Sequence, residues 1–99
     1  MYTLRIEHSV PDFDTWKEVF DGDPVGRQQR GVRRYRISRP IDDPNHVVVD
    51  LEFDGSGEAK AFRTALRDLW RRIEVEDAQA RIVEEVESGE VLTPADFPG

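Results

Sequence analysis

Two spacings of apolar residues alternate along the chain. From Tyr2 to Ser9 the repeat is two: Tyr2, Leu4, Ile6 and His8 share one side, and Thr3, Arg5, Glu7 and Ser9 share the other. That alternation predicts a strand with one covered face. Pro11 closes it, and Asp12 stands where a helix cap belongs, with Asp14 near the positive end of the helix that follows. Phe13, Trp16 and Phe20, with Val19 beside them, fall at helical spacing, and Gly22 is expected to stop that helix. Asp23 to Gly31, with Pro24 and Gly26, reads as a connection with room for one helical turn.

Val32 to Arg39 reads as a second strand, with Tyr35 and Ile37 facing one way and Val32, Arg34 and Arg36 the other. Pro40 to Asn45 is turn chemistry throughout. His46 to Phe53 is the clearest strand: Val47, Val49, Leu51 and Phe53 oppose His46, Val48, Asp50 and Glu52. The second and third strands should form a hairpin. After the break at Asp54 to Gly57, a helix carries Ala59, Phe62, Leu66, Leu69, Trp70 and Ile73 on one stripe, with Ala65 filling the gap. Its outer face holds Lys60, Arg63, Arg67, Asp68, Arg71 and Arg72. Glu74 to Asp77 reads as a loop. Gln79 to Ser88 reads as a fourth strand, although its glutamates also suit a helix.

The order is strand, helix, strand, strand, helix, strand. Placing both helices on one face of a four-stranded antiparallel sheet buries both apolar stripes. The right-handed crossover rule favours a ferredoxin-like α+β domain with strand order 4-1-3-2. The expected domain spans residues 1–88, and residues 89–99, with Pro94 and Pro98, are expected to be a tail.

Composition narrows the class. The 99 residues fit one domain. Charged residues make up 35%, but they alternate with apolar ones, unlike a disordered chain. The net charge of −7 disfavours general attraction to nucleic acid or anionic membrane. There is no cysteine, hence no disulfide or thiolate chemistry. No apolar run is long enough to span a bilayer, and the first residues lack the layout of a secretion signal, so a cytoplasmic location is expected.

Several segments carry a resemblance. Phe13-Asp14-Thr15-Trp16-Lys17 with Phe20-Asp21, then Asp42-Asp43-Pro44-Asn45-His46-Val47-Val48-Val49, then Glu52-Phe53-Asp54 followed by Glu58-Ala59-Lys60-Ala61-Phe62 resemble small proteins of the dimeric α+β-barrel superfamily. That group includes the antibiotic-biosynthesis-monooxygenase-like proteins. The resemblance covers roughly residues 2 to 88. It implies a ferredoxin-like fold and self-association. It also implies chemistry among cofactor-free oxygenases, polyketide cyclases, isomerases and haem enzymes, or none, since a fold hosts many functions. No catalytic signature of the group carries over residue by residue.

Two helices cover only one face of the expected sheet. The other would carry Arg5, Glu7, Arg34, Arg36, Asp50 and Glu52, with Val32 and Val48. Such a face is either solvated or paired with its copy in a homodimer. Charge asymmetry favours the copy. Residues 27 to 39 hold six arginines and no acid, whereas residues 74 to 90 hold seven acids and the single base Arg81. The strand order puts these segments at opposite edges, so a twofold dimer would set the second strand of one copy near the fourth strand of the other.

The candidate pocket lies between sheet and helices. His8 and Tyr35 are the candidate catalytic residues, and Trp16, Phe20, Phe53, Phe62 and Trp70 the candidate walls for a flat aromatic ligand. The bland alternative makes His8 a strand-end imidazole bonded to backbone and the aromatics plain core. His8 and His46 have opposite parity, so no two-histidine metal site is expected, and no cofactor is. Binding of phosphate by the arginine run is disfavoured by the acidity of the chain, and the glycines at 55 and 57 make only a very weak phosphate loop. Three readings remain: a cofactor-independent monooxygenase- or cyclase-like enzyme on an aromatic or polyketide-like compound, a non-catalytic interaction module with a filled core, and a haem binder.

Overall fold

The computed structural model describes residues 1–73, 75 and 77–91. Its elements are β1 (Tyr2–Ser9), α1 (Phe13–Asp21), β2 (Arg34–Ser38), β3 (His46–Phe53), α2 (Ser56–Ile73) and β4 (Gln79–Glu84). They form one antiparallel sheet in the order β2-β3-β1-β4, the expected 4-1-3-2 arrangement read from the other edge.

The parity of the strands follows the sequence. Leu4, Ile6 and His8 on β1 and Val47, Val49, Leu51 and Phe53 on β3 are buried, while the residues between them are not. Leu4, Leu51, Phe53 and Val47 are almost completely closed off, and α2 adds Ala59, Phe62, Leu66 and Trp70. Phe53 meets Phe62 edge to face at 5.7 Å. Each fully buried side chain of this size stabilises the fold by about 1.5–3 kcal/mol.

The two helices dock differently. α2 places four residues in the core, whereas α1 has none that is fully buried. α1 begins as the sequence predicts: Asp12 is extended (φ −153°, ψ 124°), and its carboxylate accepts hydrogen bonds from the Thr15 N–H at 2.9 Å and the Thr15 hydroxyl at 2.8 Å. It ends where expected, at Asp21 with Gly22 as its cap. Gly22 keeps right-handed helical geometry, and Asp23 makes the turn with φ 54°. A short polar side chain tolerates that region better than most.

Three boundaries differ from expectation. β2 starts at Arg34, not Val32, because the Val32 N–H bonds back to the Arg27 carbonyl. Val32 therefore packs against the core and does not lie on the open face. β2 also ends before Arg39, whose guanidinium sits 4.4 Å over the Phe13 ring. β4 stops at Glu84, not Ser88, because Tyr2 is its last partner on β1; one further bond joins the Glu85 N–H to the Met1 carbonyl. Val86 is consequently exposed. Of the expected loop, Glu74 and Glu76 lie outside the described residues, as does the tail from 92 to 99. Among the described residues, no helix is long and apolar enough to cross a membrane.

Candidate functional site

Loose docking of α1 leaves a cavity of about 130 Å³ between the helices and the sheet. Its floor is Ile6, His8, Val49 and Leu51 from the sheet. Trp16, Val19 and Phe20 of α1 and Phe62, Leu66, Leu69, Trp70 and Ile73 of α2 form the sides. Val19 and Ile73 are each 58% exposed and mark its mouth. The lining is apolar apart from His8, Asp23 and Arg27.

His8 is the only buried polar or charged residue among those described, at 7% exposure. Its ring meets Trp16 edge-on at 6.2 Å and Trp70 at 6.1 Å. Nδ1 lies 3.1 Å from the Ser9 carbonyl oxygen. A carbonyl only accepts, so Nδ1 carries hydrogen, and in the neutral ring Nε2 keeps its lone pair. Among the described residues no group bonds Nε2. The strand end that holds His8 is itself anchored, since the Ser9 N–H donates to Asp77 Oδ2 at 3.1 Å. Hydrogen bonding by Ser9, through side chain and backbone, holds the Asp77 carboxyl below its ordinary range, and the nearby His8 adds to the effect.

Of the other residues expected here, Trp16, Phe20, Phe62 and Trp70 line the cavity. Phe53 does not; it lies fully buried against Phe62. Tyr35 does not either. It is 53% exposed and meets Phe20 edge-on at 5.3 Å. His8 and His46 project from opposite faces, and His46 stands 4.0 Å from Glu7.

The connection from Asp23 to Arg27 contributes to the cavity beyond what periodicity suggested. Asp23, Pro24, Val25 and Arg27 all line it. The one sequence signal was an apolar valine and an arginine set between turn residues. Aperiodic segments give no facing, so nothing aimed them inward.

The uncovered face of the sheet is ordered by charge. Reading across β2, β3, β1 and β4, one row is Arg36, Asp50, Arg5 and Arg81, and the next is Arg34, Glu52, Thr3 and Val83. Arg5 grips Asp50, and Arg34 Nε bonds Glu52 Oε2 at 2.8 Å. At the basic edge Arg33 pairs with Asp54, and Arg27 lies near Asp23, so the protomer itself neutralises part of the arginine run. A groove of about 460 Å³ crosses this face, bounded by Arg5, Arg36, Asp50, Val83 and Glu85 among others.

No protein-family model matches the chain, and no curated protein matches it by sequence. Solved structures do. A candidate antibiotic biosynthesis monooxygenase from Deinococcus radiodurans superposes with a TM-score of 0.67 at 16% identity, over 94% of this chain and all of the other. SnoaB, a cofactor-independent oxygenase from Streptomyces nogalater, gives 0.66 at 12% identity, over 88% of this chain and 94% of its own. A dimeric ferredoxin-like protein from an uncultured marine organism gives 0.62 at 10% identity, over 91% and 98%. The chain thus has the ferredoxin-like α+β fold of the antibiotic-biosynthesis-monooxygenase-like proteins.

Proposed function

We propose that the chain forms a homodimer through its uncovered sheet face and binds a small aromatic compound in the cavity beside His8. There His8 acts as general base in a cofactor-independent reaction of the oxygenase or cyclase type. The observation that carries this reading is His8 Nε2, without a partner among the described residues, in an apolar hollow walled by Trp16 and Trp70. Size sets the ligand. A dry cavity of ~150 Å³ accepts benzene, so about 130 Å³ suits one ring, with larger substituents leaving by the mouth. Taking a proton from a ring hydroxyl leaves its electron pair on the ring. An electrophile can then add there, dioxygen in oxygenation or a carbonyl carbon in cyclisation, and the proton held by His8 passes to the peroxide or alkoxide oxygen so formed.

The dimer is supported by the charged face and by the dimeric neighbour of the same fold. In it, β2 of one copy approaches β4 of the other. Titrating the protein with phenols and following the fluorescence of Trp16 and Trp70, with dioxygen uptake in parallel, tests the site. Saturable quenching by one-ring phenols is expected, and turnover that disappears in His8→Ala. Indifference of the native protein to every ring compound would defeat the reading.

A second reading has its own support. The cavity is smaller than the ~300–1,000 Å³ of common ligand pockets, and the Nδ1 bond to Ser9 is what a structural histidine makes. It describes a non-catalytic module with a nearly filled core. Tryptophan fluorescence indifferent to every ring compound, with no turnover in the native protein or in His8→Ala, would favour it.

A further inference from the structure

We propose that Arg27 is the anion-recognising residue of the cavity, so that the ligand is a one-ring aromatic acid with its carboxylate at the Arg27 end and its ring toward His8. This rests on the cavity being a binding site.

A guanidinium in a lining that is apolar but for His8 and Asp23 needs a reason. The backbone takes two left-handed turns to put it there, at Asp23 (φ 54°) and Gly26 (φ 82°). The first of these is the one non-glycine residue with positive φ among those described. The Asp23 carboxylate then accepts the Arg27 backbone N–H at 2.8 Å and fixes the turn. The side chain is only 19% exposed. Its guanidinium carbon lies 3.8 Å over the Phe20 ring and 5.3 Å from that of Tyr35, and Nη1 donates to the Phe20 carbonyl at 2.8 Å.

That is a fixed group with donors to spare. Guanidinium has five N–H donors, and among the described residues the Phe20 carbonyl is the one hydrogen-bond acceptor its side chain meets. Asp23 Oδ1 stands 3.5 Å from Nε. It balances the charge while the cavity is empty, without taking the planar fork that a carboxylate engages. The entropy of holding the long side chain is already lost before a ligand arrives, which favours binding.

The aromatic surface runs in the matching direction. Phe20 stacks on Trp16 at 5.3 Å and 29°, and Trp16 meets His8. A flat ring against Trp16 has the imidazole at one end and the guanidinium at the other. The acid anchors and orients the ring, and the opposite end of the ring meets the base.

Benzoate, benzyl alcohol and benzylamine, titrated at neutral pH and constant ionic strength against tryptophan fluorescence, test this. Benzoate should bind at least about tenfold more tightly than the alcohol, the scale of one charge-assisted contact. In Arg27→Met, which keeps an apolar cover on Phe20, benzoate should fall to the level of the alcohol, while the alcohol stays within about twofold of native. Circular dichroism and a thermal melt report whether the variant folds, and Arg27→Lys, which keeps charge without the fork, should recover only part of the preference. Equal affinity for acid and alcohol in the native protein, tighter binding of the amine, or an undiminished acid preference in Arg27→Met would each overturn the role of Arg27 and leave the cavity as a ring site. Failure of all three compounds to bind would overturn the binding site and this inference with it.

Discussion

Arg5 and Asp50 stand directly opposite each other on β1 and β3 and close a two-point ion pair, Nε to Oδ1 at 2.9 Å and Nη2 to Oδ2 at 3.1 Å. Asp50 also faces Arg36 on β2, and Arg5 faces Arg81 on β4. One carboxylate therefore serves a row of three guanidinium groups. In an isolated protomer with Arg5 40% exposed, the pair contributes on the order of 0.2–1 kcal/mol. Pressed against a second copy, the same row without its acid leaves like charges facing each other in lower dielectric. Asp50→Asn should thus cost little in urea unfolding of the monomer but weaken dimerisation at least about tenfold. Sedimentation across a protein dilution series measures it. Unchanged dimerisation would mean that this face is not the contact.

His8→Phe separates packing from chemistry. A phenyl ring fills the same niche against Trp16 and Trp70, so the melting temperature should stay close to native, a change of under about 1.5 kcal/mol. Ring binding should persist. Turnover should fall by about 10²–10⁴-fold, the usual contribution of a positioned base. Full activity in the folded variant would exclude His8 as the base.

What was legible in the sequence depended on periodicity. Val47, Val49, Leu51 and Phe53 announce their burial by strict alternation, and the stripe from Ala59 to Trp70 does the same for α2. The strand order followed from those elements and the crossover rule. The ends of β2 and β4 were not legible, because a strand lasts only as long as its neighbour. β4 stops where Tyr2 gives out, which no pattern within 79–88 records. The cavity was half legible: parity aimed His8 and the helix aromatics inward, whereas Arg27 arrives through left-handed turns at Asp23 and Gly26 that periodicity does not register. Tyr35 had the right parity but sits on β2, an edge strand, and there facing inward does not secure burial.

Asp12 makes acid stability a test of the α1 cap. Hydrogen bonds from Thr15, backbone first and then hydroxyl, hold its carboxyl below the ordinary range. The unfolded chain then binds the proton more readily than the fold does. The cap's contribution is fully present above the unfolded value of about 4 and is lost as pH falls through the depressed folded value. Asp12→Ala should lower the melting temperature at neutral pH, and the gap from native should close under acid. Asp12→Asn caps without ionising, so it should keep much of the neutral-pH stability and lose the acid dependence. Melts from neutral pH into acid measure both, and a gap independent of pH in Asp12→Ala would refute the assignment.

Gly31 poses a choice between two causes of strain. It has φ 91°, and a Cβ placed there would run into the Glu58 carboxylate on the first turn of α2. The two costs are separable. Glu58 is exposed, and the colliding atoms are the far end of a flexible chain that can swing into solvent. The backbone has no such freedom, because Val32 on one side is tied to Arg27 and Arg33 beyond it to Glu52. Gly31→Ala should therefore cost about 1–2 kcal/mol, nearly all from forcing an L-residue into left-handed backbone. The double variant with Glu58→Ala should recover little of that loss in urea unfolding. Substantial recovery would mean that the contact with Glu58, and not the dihedral angle, is what requires glycine at this position.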